Sequence, residues 1–257
     1  MKKLMAFDVD GTLVFDRTIE PANIEAIARW QKAGNLAVCN TGKSIFANRL
    51  AFENSGINFD YFVLYTGAVI TDASYKILAK KTLALDLVST AVDYLSQIEG
   101  INVYATTLDH DYLLHNGLRS VTNILPSFSL LDCAELKEHE YIGIPIWAPD
   151  AKLRDEVYTW IIDTFDGQLD CHRNQDFLDI VPKNCDKGLG LQQLLQHMDG
   201  GISEIYTIGD SWNDLEMHRF ASHAASFFYS PAEVQEATEY VVDKTYEFID
   251  RALENGK

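Results

Sequence analysis

A chain of 257 residues, 47% of them hydrophobic, is long enough to bury one large core or two modest ones. Its 21 Lys and Arg residues stand against 38 Asp and Glu residues, and the formal net charge of −17 excludes nucleic acid and an anionic membrane surface as expected partners. An anionic substrate would need cations placed locally or a metal ion.

Cysteine use and the first residues both favour the cytoplasm. The four cysteines are widely spaced and form no CxxC pair, which argues against a zinc site or a disulfide framework and fits a reducing compartment. The opening "MKKLMAFDVD" has an apolar stretch of four residues, too short for a signal peptide or a membrane span. We therefore expect a cytoplasmic protein. The cysteines are Cys39, Cys133, Cys171 and Cys185.

The first third of the chain predicts a parallel sheet. Short apolar runs indicate strands at 4–7, 36–40 and 61–65, and amphipathic stretches indicate helices at 21–34 and 44–56. Strands and helices in alternation are the pattern of βαβ units. Proline at a first helical position and glycines at helix ends support these limits. These residues are Pro21, Gly34 and Gly56.

The middle of the chain has a different pattern. Residues 68–80 indicate a hairpin, and helix–strand alternation returns at 186–200, before a buried strand at 204–210. We therefore predict one α/β sheet domain, made of residues 1–81 and 183–257, that is interrupted by an α+β domain at 82–182. Within the insertion, helices are predicted at 85–100 and 150–167, and strands at 101–107, 140–148 and 177–181.

Two carboxylates directly follow the first strand. Asp8 and Asp10 stand two residues apart in "FDVDGTLV", and Gly11 permits a sharp turn. Ligands bind at the carboxyl ends of strands in open parallel sheets. One carboxylate can act as a nucleophile while the other moves a proton, if their surroundings keep one ionised and the other able to carry a proton. An acidic turn without function is the alternative.

A second strand end repeats this arrangement. The apolar strand in "IGDSWND" ends at Asp210, and Asn213 and Asp214 follow in the next turn. Carboxylates from two strand ends form an oxygen-rich site suited to Mg²⁺, which takes a few carboxylates, waters and a substrate phosphate. Helix capping by Asn213 or Asp214 is the alternative, and it is compatible with a metal site.

Thr41 and Lys187 add groups that can hold a phosphate. Thr41 and Gly42 follow a strand, where a hydroxyl and backbone N–H groups near a helix N-terminus can bind a phosphoryl oxygen. The stretch "AVCNTGKS" does not form a P-loop, because Ala37 stands where that loop needs glycine. Lys187 begins a helix, where a cation is easier to explain if it faces an anion. Alternatively, Thr41 caps a helix and Lys187 is a solvated charge.

In this order the motifs resemble those of the haloacid dehalogenase-like (HAD) phosphohydrolase superfamily. They are "DVDGT" at 8–12, Thr41 with Gly42, Lys187, and "GDSWND" with Asp210, Asn213 and Asp214. The stretch "FLDIVPKNCDKGLGLQQLL" is similar to the sequence at the end of the inserted cap in the Cof-type subfamily. The resemblance covers the whole chain and implies a Rossmann-like parallel-sheet core, with the inserted α+β domain as a cap.

The resemblance also implies catalytic roles. Asp8 would be the nucleophile that forms an aspartyl-phosphate, and Asp10 the general acid and base. Thr41 and Lys187 would hold and neutralise the phosphoryl group. The metal would be Mg²⁺, which with Lys187 offsets a locally acidic site. The implied metal ligands are Asp8, the backbone carbonyl of Asp10, Asp210 and, in support, Asp214.

The implied substrate-binding positions are Gly42, Lys43 and Asn213. Many relatives have arginine where Lys43 stands, a change from a two-pronged cation to a point charge. Relatives also often have Asn-Gly where this chain has Thr66 and Gly67. Both departures lie near the expected substrate entrance, so they concern the identity of the substrate and leave the class of reaction intact.

Histidines and aromatic residues of the insertion are expected to be structural. The histidines lack metal-ligand spacing, which favours surface or core positions. A substrate contact from a cap turn is the alternative for the run from His172 to Asn174, which includes Arg173. The aromatic residues are expected in the cap core in preference to a sugar-stacking platform. These residues are His110, His115, His139, His172, Tyr141, Trp147 and Tyr158.

The predicted function is that of a Mg²⁺-dependent phosphatase acting on a small phosphorylated metabolite, with a sugar phosphate as the first choice. A phosphomutase of the phosphomannomutase type and a non-catalytic phosphate-ligand binding protein are the alternatives. Asp10 argues against the binding protein, since binding alone needs no acid or base. We expect a monomer or a weak homodimer.

Overall fold

The computed structural model describes residues 2–120, 128–198 and 200–254. In chain order the strands are β1 (Lys2–Phe7), β2 (Val14–Phe15), β3 (Thr18–Ile19), β4 (Leu36–Asn40), β5 (Tyr61–Leu64), β6 (Val69–Asp72), β7 (Ile77–Lys80), β8 (Asn102–Thr106), β9 (Asp111–Asn116), β10 (Ser129–Leu130), β11 (Ile144–Trp147), β12 (Leu169–Asn174), β13 (Phe177–Pro182), β14 (Ile202–Ile208), β15 (His223–Phe227) and β16 (Tyr240–Val242). The helices are α1 (Pro21–Lys32), α2 (Ile45–Phe52), α3 (Leu85–Leu95), α4 (Ala151–Thr164), α5 (Lys187–Gln196), α6 (Leu215–Phe220), α7 (Ala232–Glu236) and α8 (Thr245–Glu254), and Cys133–Glu138 and Trp212–Asp214 form 3₁₀ segments.

The described residues divide into two compact units. The first comprises those within Met1–Thr41, Ala51–Ala79 and Asp186–Lys257, and the second those within Gly42–Leu50 and Lys80–Cys185. The interpretation of residues 82–182 as an inserted cap domain stays a prediction. Parts of the predicted domains and of the helix–strand region at 186–200 lie outside the described residues, namely positions 1, 121–127, 199 and 255–257.

An eight-stranded sheet organises the first unit. Its strand order is β16-β15-β14-β1-β4-β5-β6-β7. Neighbouring strands from β16 to β5 pair in parallel, and β6 returns antiparallel to β5. Most residues of β1 and β4 are buried whichever face they point to, as in strands covered by helices on both sides. The predicted parallel α/β sheet is therefore confirmed.

Helices α1 and α2 begin and end near their sequence signals. α1 begins at Pro21 as predicted, and Gly34, with φ +89°, follows its last residues. The predicted helix at 44–56 is shorter, because the side chain of Ser44 caps its start and a turn follows Phe52. Among the described helices of the chain, none is both long and apolar enough to cross a membrane.

A six-stranded sheet in the order β10-β9-β8-β11-β13-β12 organises the second unit. Neighbouring strands from β9 to β12 pair antiparallel, and β10 pairs in parallel with β9. α3 and α4 pack on this sheet in a core that includes Val88, Val92, Val157 and Ile161. The predicted helix at 85–100 ends earlier, at Leu95, because the N–H groups of Gln97 and Ile98 bond three positions back and tighten the chain into turns.

The sequence did not predict β9 and β12, since each buries few side chains and mixes polar with apolar residues. The alternative of a substrate contact from His172, Arg173 and Asn174 is wrong in placing them in a cap turn, and the contact itself stays a prediction. They belong to β12 and pair in register with β13. The imidazole Nε2 of His172 lies 2.6 Å from the carbonyl oxygen of Cys185, and Arg173 forms an ion pair with Asp155 at 2.5 Å.

Aromatic residues of the second unit have mixed exposure. Tyr141 is buried, and its hydroxyl donates a hydrogen bond to the carbonyl oxygen of Leu136 at 2.9 Å. Trp147 and Tyr158 are half-buried. The guanidinium of Arg173 lies 4.4 Å from the ring centre of Tyr158. These contacts account for Tyr141 and Tyr158 as packing residues.

Candidate active site

Three carboxylates meet at the carboxyl ends of two neighbouring parallel strands. Asp8 follows β1, and Asp210 and Asp214 follow β14. One oxygen from each lies within 4.8 Å of the others, and all three side chains are buried. Strand pairing brings together residues about 200 positions apart, as the sequence pattern predicts. Carboxylates so close repel one another unless cations or protons offset their charge.

Lys187 supplies a cation inside this cluster. Its Nζ lies 2.6 Å from Asp8 Oδ1 and 2.5 Å from Asp214 Oδ1, and its side chain is fully buried. Burial alone would lower the pKa of Lys187, but the charges of Asp214 and Asp8 raise it above its ordinary value. The ammonium therefore stays charged, and the alternative of a solvated surface lysine is wrong.

Two contacts hold Lys187 in place. It is the first residue of α5, and the carboxylate of Asp186 caps this helix by accepting the N–H of Leu189 at 2.6 Å. The side-chain amide of Asn40 donates to the carbonyl oxygen of Lys187 at 3.0 Å. Asn40 ends β4, and no local sequence pattern marks it, because its role depends on a contact with a segment far along the chain.

The carboxylates carry more negative charge than one lysine balances. Burial raises the pKa of Asp8 above its ordinary value, although Lys187 opposes this effect. Burial, followed by the charges of Asp8 and Asp214, raises the pKa of Asp210 to about 9. A divalent cation with a preference for oxygen ligands would relieve this repulsion, so the residues present fit Mg²⁺.

Two glycines make room for the carboxylates. A Cβ at Gly11, which has φ +78°, would lie 2.6 Å from Asp210 Oδ2. A Cβ at Gly209 would lie 2.4 Å from Asp214 Cγ. Both distances are shorter than non-bonded atoms tolerate, so a side chain at either position would displace the carboxylate beside it.

Thr12 is a further polar contact of the cluster. Its Oγ1 lies 3.2 Å from Asp8 Oδ2 and 3.4 Å from Asp210 Oδ1, and its single hydroxyl proton serves one of them at a time. Thr245 donates to the carbonyl oxygen of Thr12 at 2.7 Å and ties this turn to α8. Asp10 lies in the same turn, half-buried, and its backbone bridges to Val14.

Asn213 and Asp214 lie in the 3₁₀ segment that follows β14. Asp214 Oδ2 accepts the N–H of Ser211 at 3.0 Å while its other oxygen contacts Lys187, so capping and site formation are combined in one carboxylate. Asn213 is buried, and its Oδ1 accepts no hydrogen bond from the described residues. A buried amide of this kind is suited to a ligand contact.

Thr41 is buried directly after β4, the other neighbour of β1. Its N–H donates to Val63 at 2.9 Å and its carbonyl accepts from Thr66 at 3.0 Å. It does not cap α2, because Ser44 takes that position. The structure places Gly42 and Lys43 in the second unit, with Lys43 nearly buried.

The family model described as haloacid dehalogenase-like hydrolase matches residues 5–248. A curated relative, the HMP-PP phosphatase of Yersinia pseudotuberculosis, is 26% identical over 84% of this chain and 80% of its own. Another, the 5-amino-6-(5-phospho-D-ribitylamino)uracil phosphatase YwtE of Bacillus subtilis, is 24% identical over 98% of each chain.

Solved structures share the fold. A sugar phosphatase of HAD subclass IIB is 19% identical and superposes with a TM-score of 0.82 over 99% of each chain. A HAD/COF-like hydrolase from Plasmodium vivax is 17% identical and superposes with a TM-score of 0.86 over 100% of this chain and 96% of its own. At these identities the superpositions show the architecture of both units and nothing of the substrate.

Proposed function

The chain belongs to the haloacid dehalogenase-like hydrolases, and we propose that it is a Mg²⁺-dependent phosphatase that cleaves a small phosphorylated metabolite through an aspartyl-phosphate. The names of its curated relatives support phosphatase activity. The observation that carries the proposal is the buried Lys187 ammonium between Asp8 and Asp214. Such a cation at the ends of parallel strands suits the binding of a phosphoryl group.

Asp8 is the proposed nucleophile and Asp10 the proposed acid and base. A carboxylate oxygen of Asp8 attacks phosphorus, and the bond between phosphorus and the alcohol oxygen breaks as Asp10 gives that oxygen a proton. Water then attacks the phosphorus of the aspartyl-phosphate and gives a proton to Asp10, and the bond between phosphorus and the Asp8 oxygen breaks. Phosphate leaves, and both carboxyl groups return to their starting states.

Lys187 has two tasks in this scheme. Its charge favours the ionised form of Asp8, which the attack requires, against the effect of burial. It also offsets the negative charge of the phosphoryl oxygens during transfer. Its fully buried position makes both effects stronger than they would be in water.

Asp8, the backbone carbonyl of Asp10 and Asp210 would hold Mg²⁺, and Asp214 would support them. When bound, the ion supplies positive charge that offsets the carboxylates and the substrate phosphate. The raised pKa values of Asp8 and Asp210 support this assignment, because they reflect carboxylates short of positive charge.

The remaining assigned residues are proposed substrate contacts. Thr41 would donate its hydroxyl to a phosphoryl oxygen, and the buried amide of Asn213 would lie near the phosphate. Gly42 would offer its backbone N–H, and Lys43 a point charge. The segment at 82–182 is the proposed source of contacts to the rest of the substrate. The predicted cytoplasmic location and monomeric or weakly dimeric state stay predictions.

A sugar phosphate is the first substrate class to test. The name of the Bacillus subtilis relative specifies a phospho-D-ribitylamino group, which is a phosphorylated sugar-alcohol chain. The net charge of −17 disfavours nucleic acid as a substrate, because long-range repulsion would oppose its approach. A small phosphate ester carries little charge beyond the group that Lys187 and Mg²⁺ offset.

The test is phosphate release from sugar phosphates, phosphorylated acids, nucleotides and pyridoxal phosphate, with Mg²⁺ or with EDTA. Asp10→Asn removes the proposed acid and base, and Asp16→Asn removes an exposed carboxylate of the same segment as a matched control. We expect release from one chemical class, lost with EDTA and with Asp10→Asn and kept in Asp16→Asn. Isomerised sugar phosphate would indicate the mutase, and no release by folded protein that binds Mg²⁺ would contradict the phosphatase.

A further inference from the structure

Two exposed aromatic rings lie together in the first unit. Tyr229 follows β15 and is 53% exposed, and Phe15 in β2 is 46% exposed. Their ring centres are 6.1 Å apart with an interplanar angle of 87°, an edge-to-face contact. Large aromatic side chains left open to solvent as a group commonly mark a binding surface.

Neighbouring residues hold both rings in place. Tyr229 stacks on the buried ring of Phe227, with centres 4.9 Å apart and planes 10° from parallel. Phe15 is held in a tight hairpin whose two turn residues, Asp16 and Arg17, have φ values of 48° and 61°. The two rings therefore form a preorganised surface, which we call the aromatic platform.

The aromatic platform adjoins the carboxylate cluster. The hydroxyl of Tyr229 donates a hydrogen bond of 2.6 Å to the carbonyl oxygen of Gly11, in the turn that carries Asp8 and Asp10. Burial, and then the charges of Asp210 and Asp8, raise the pKa of Tyr229 above its ordinary value. Tyr229 thus stays a neutral hydrogen-bond donor within the electrostatic reach of the proposed reaction centre.

We propose that Tyr229 and Phe15 bind a planar aromatic ring carried by the alcohol part of the substrate, which makes a ring-bearing sugar phosphate the preferred substrate class. The inference rests on the proposed phosphatase function and narrows its substrate. An exposed aromatic side chain can bind a heterocycle by stacking and needs no charge to do so, which suits a strongly acidic protein. The hydrogen bond to Gly11 keeps the platform beside the turn that bears the proposed nucleophile.

Comparison of two substrates tests the contribution of the planar ring of the substrate. Uridine 5′-monophosphate and ribose 5-phosphate release phosphate from the same primary alcohol of ribose, and only the first carries a planar ring. The measured quantity is the ratio of their kcat/KM values with Mg²⁺. Tyr229→Ala removes the stacking face, Tyr229→Phe keeps the face and removes the hydroxyl, and Phe228→Ala removes a neighbouring side chain that is 65% exposed.

We expect wild-type protein to favour the nucleotide, and Tyr229→Ala to lower the ratio about tenfold, since stacking of one base on an aromatic side chain is worth that much. Phe228→Ala should keep the wild-type ratio, and Tyr229→Phe should keep most of it. Equal falls for both substrates, or a ratio unchanged in Tyr229→Ala, would overturn the aromatic platform while leaving the phosphatase intact.

Two further outcomes also count against the proposal. If wild-type protein releases phosphate from no ester of the wider panel, the proposed function fails and the platform fails with it. If sedimentation shows a dimer that Tyr229→Ala dissociates, with the substrate ratio unchanged, the rings bind a second copy of the chain. Measurement of mass and kinetics on the same samples separates these cases.

Discussion

Lys187 is held between two carboxylates in a position that water does not reach. Replacement by Met removes the cation and leaves Asp8 and Asp214 buried with their charge uncompensated. Loss of one partner from a buried ion pair costs about 3 to 5 kcal/mol of folding free energy. We expect this loss in urea unfolding of Lys187→Met at pH 8 with EDTA, and we expect phosphatase activity to be abolished.

The loss of folding free energy in Lys187→Met should be smaller at lower pH. Without Lys187 the pKa of the buried Asp8 carboxyl rises further, so the folded variant takes up a proton that the unfolded chain does not. Its stability relative to wild type therefore improves between pH 8 and pH 5. Lys244→Gln, which breaks an exposed ion pair with Glu20, is the control and should change stability little at either pH. A deficit of the same size at both pH values would contradict the charge argument.

Replacement of Thr12 tests whether its hydroxyl contributes to catalysis. Thr12→Val keeps the shape of the side chain and removes the donor that lies near Asp8 and Asp210. Loss of a buried hydrogen bond to a charged group costs about 1 to 3 kcal/mol, so we expect kcat to fall ten- to a hundredfold while the far-ultraviolet spectrum stays unchanged. Thr12→Ser restores the donor and should recover most of kcat. Failure of serine to do so would show that the methyl group matters instead.

At the scale of single residues, the sequence predicted the site residues that follow strand ends. It did not predict those that act through tertiary contacts. Asp8 and Asp210 were predictable neighbours, because parallel strands place their carboxyl ends at one edge of the sheet. Asn40 and Tyr229 matter through contacts with Lys187 and Gly11, and no local pattern reports these contacts. The catalytic and metal-binding roles themselves stay predictions.

At the scale of elements, one buried carboxylate joins α2 to β8 and β9 within the second unit. Asp111 begins β9 and is 1% exposed, and it accepts hydrogen bonds from Ser44 at 2.7 Å and from Thr106 at 2.8 Å. Burial raises its pKa above the ordinary value of 3.8, against the opposing effects of these two hydroxyls and of the nearby charges of His110 and Lys43.

The sign of the resulting pH dependence follows from linkage. A carboxyl group with a raised pKa in the folded state binds more protons there than in the unfolded chain, so its contribution to stability falls as pH rises above about 3.8. Asp111→Asn removes this dependence. We therefore expect the stability of Asp111→Asn, relative to wild type, to improve from pH 4 to pH 7.

Urea unfolding across this pH range provides the measurement, and Asp163→Asn is the control, because Asp163 is an exposed carboxylate on α4. The control should show a smaller change with pH than Asp111→Asn. A relative stability of Asp111→Asn that falls with rising pH would mean that the hydrogen bonds from Ser44 and Thr106 outweigh burial.

Element limits were less predictable than element order. Strands of the first unit were predictable because buried parallel strands are apolar along their whole length. β9 and β12 bury few residues on one face, so their alternation is too weak to recognise. The end of α3 at Leu95 depends on tight turns, and no sequence signal before Gly100 predicts them.

At the scale of the whole molecule, we expect Mg²⁺ binding to raise the free energy of unfolding. Asp8, Asp210 and Asp214 form a preassembled group in the folded chain, whereas the unfolded chain has no such group, so Mg²⁺ should bind the folded state selectively. Binding at a hundredfold excess over Kd adds about 2.7 kcal/mol to the free energy of unfolding. We expect the urea midpoint of wild-type protein to rise with Mg²⁺ and to fall back with EDTA.

Asp210→Asn separates site binding from a general effect of salt. It removes one carboxylate from the proposed metal site and relieves repulsion within the cluster, so the variant should be at least as stable as wild type in EDTA and should gain little from Mg²⁺. Asp16→Asn, which removes an exposed carboxylate, should keep the full response. Because the readout is unfolding, the test holds whatever the substrate is. An equal gain for Asp210→Asn and wild type would show that Mg²⁺ acts by screening the net charge of −17 and that the three carboxylates do not hold it.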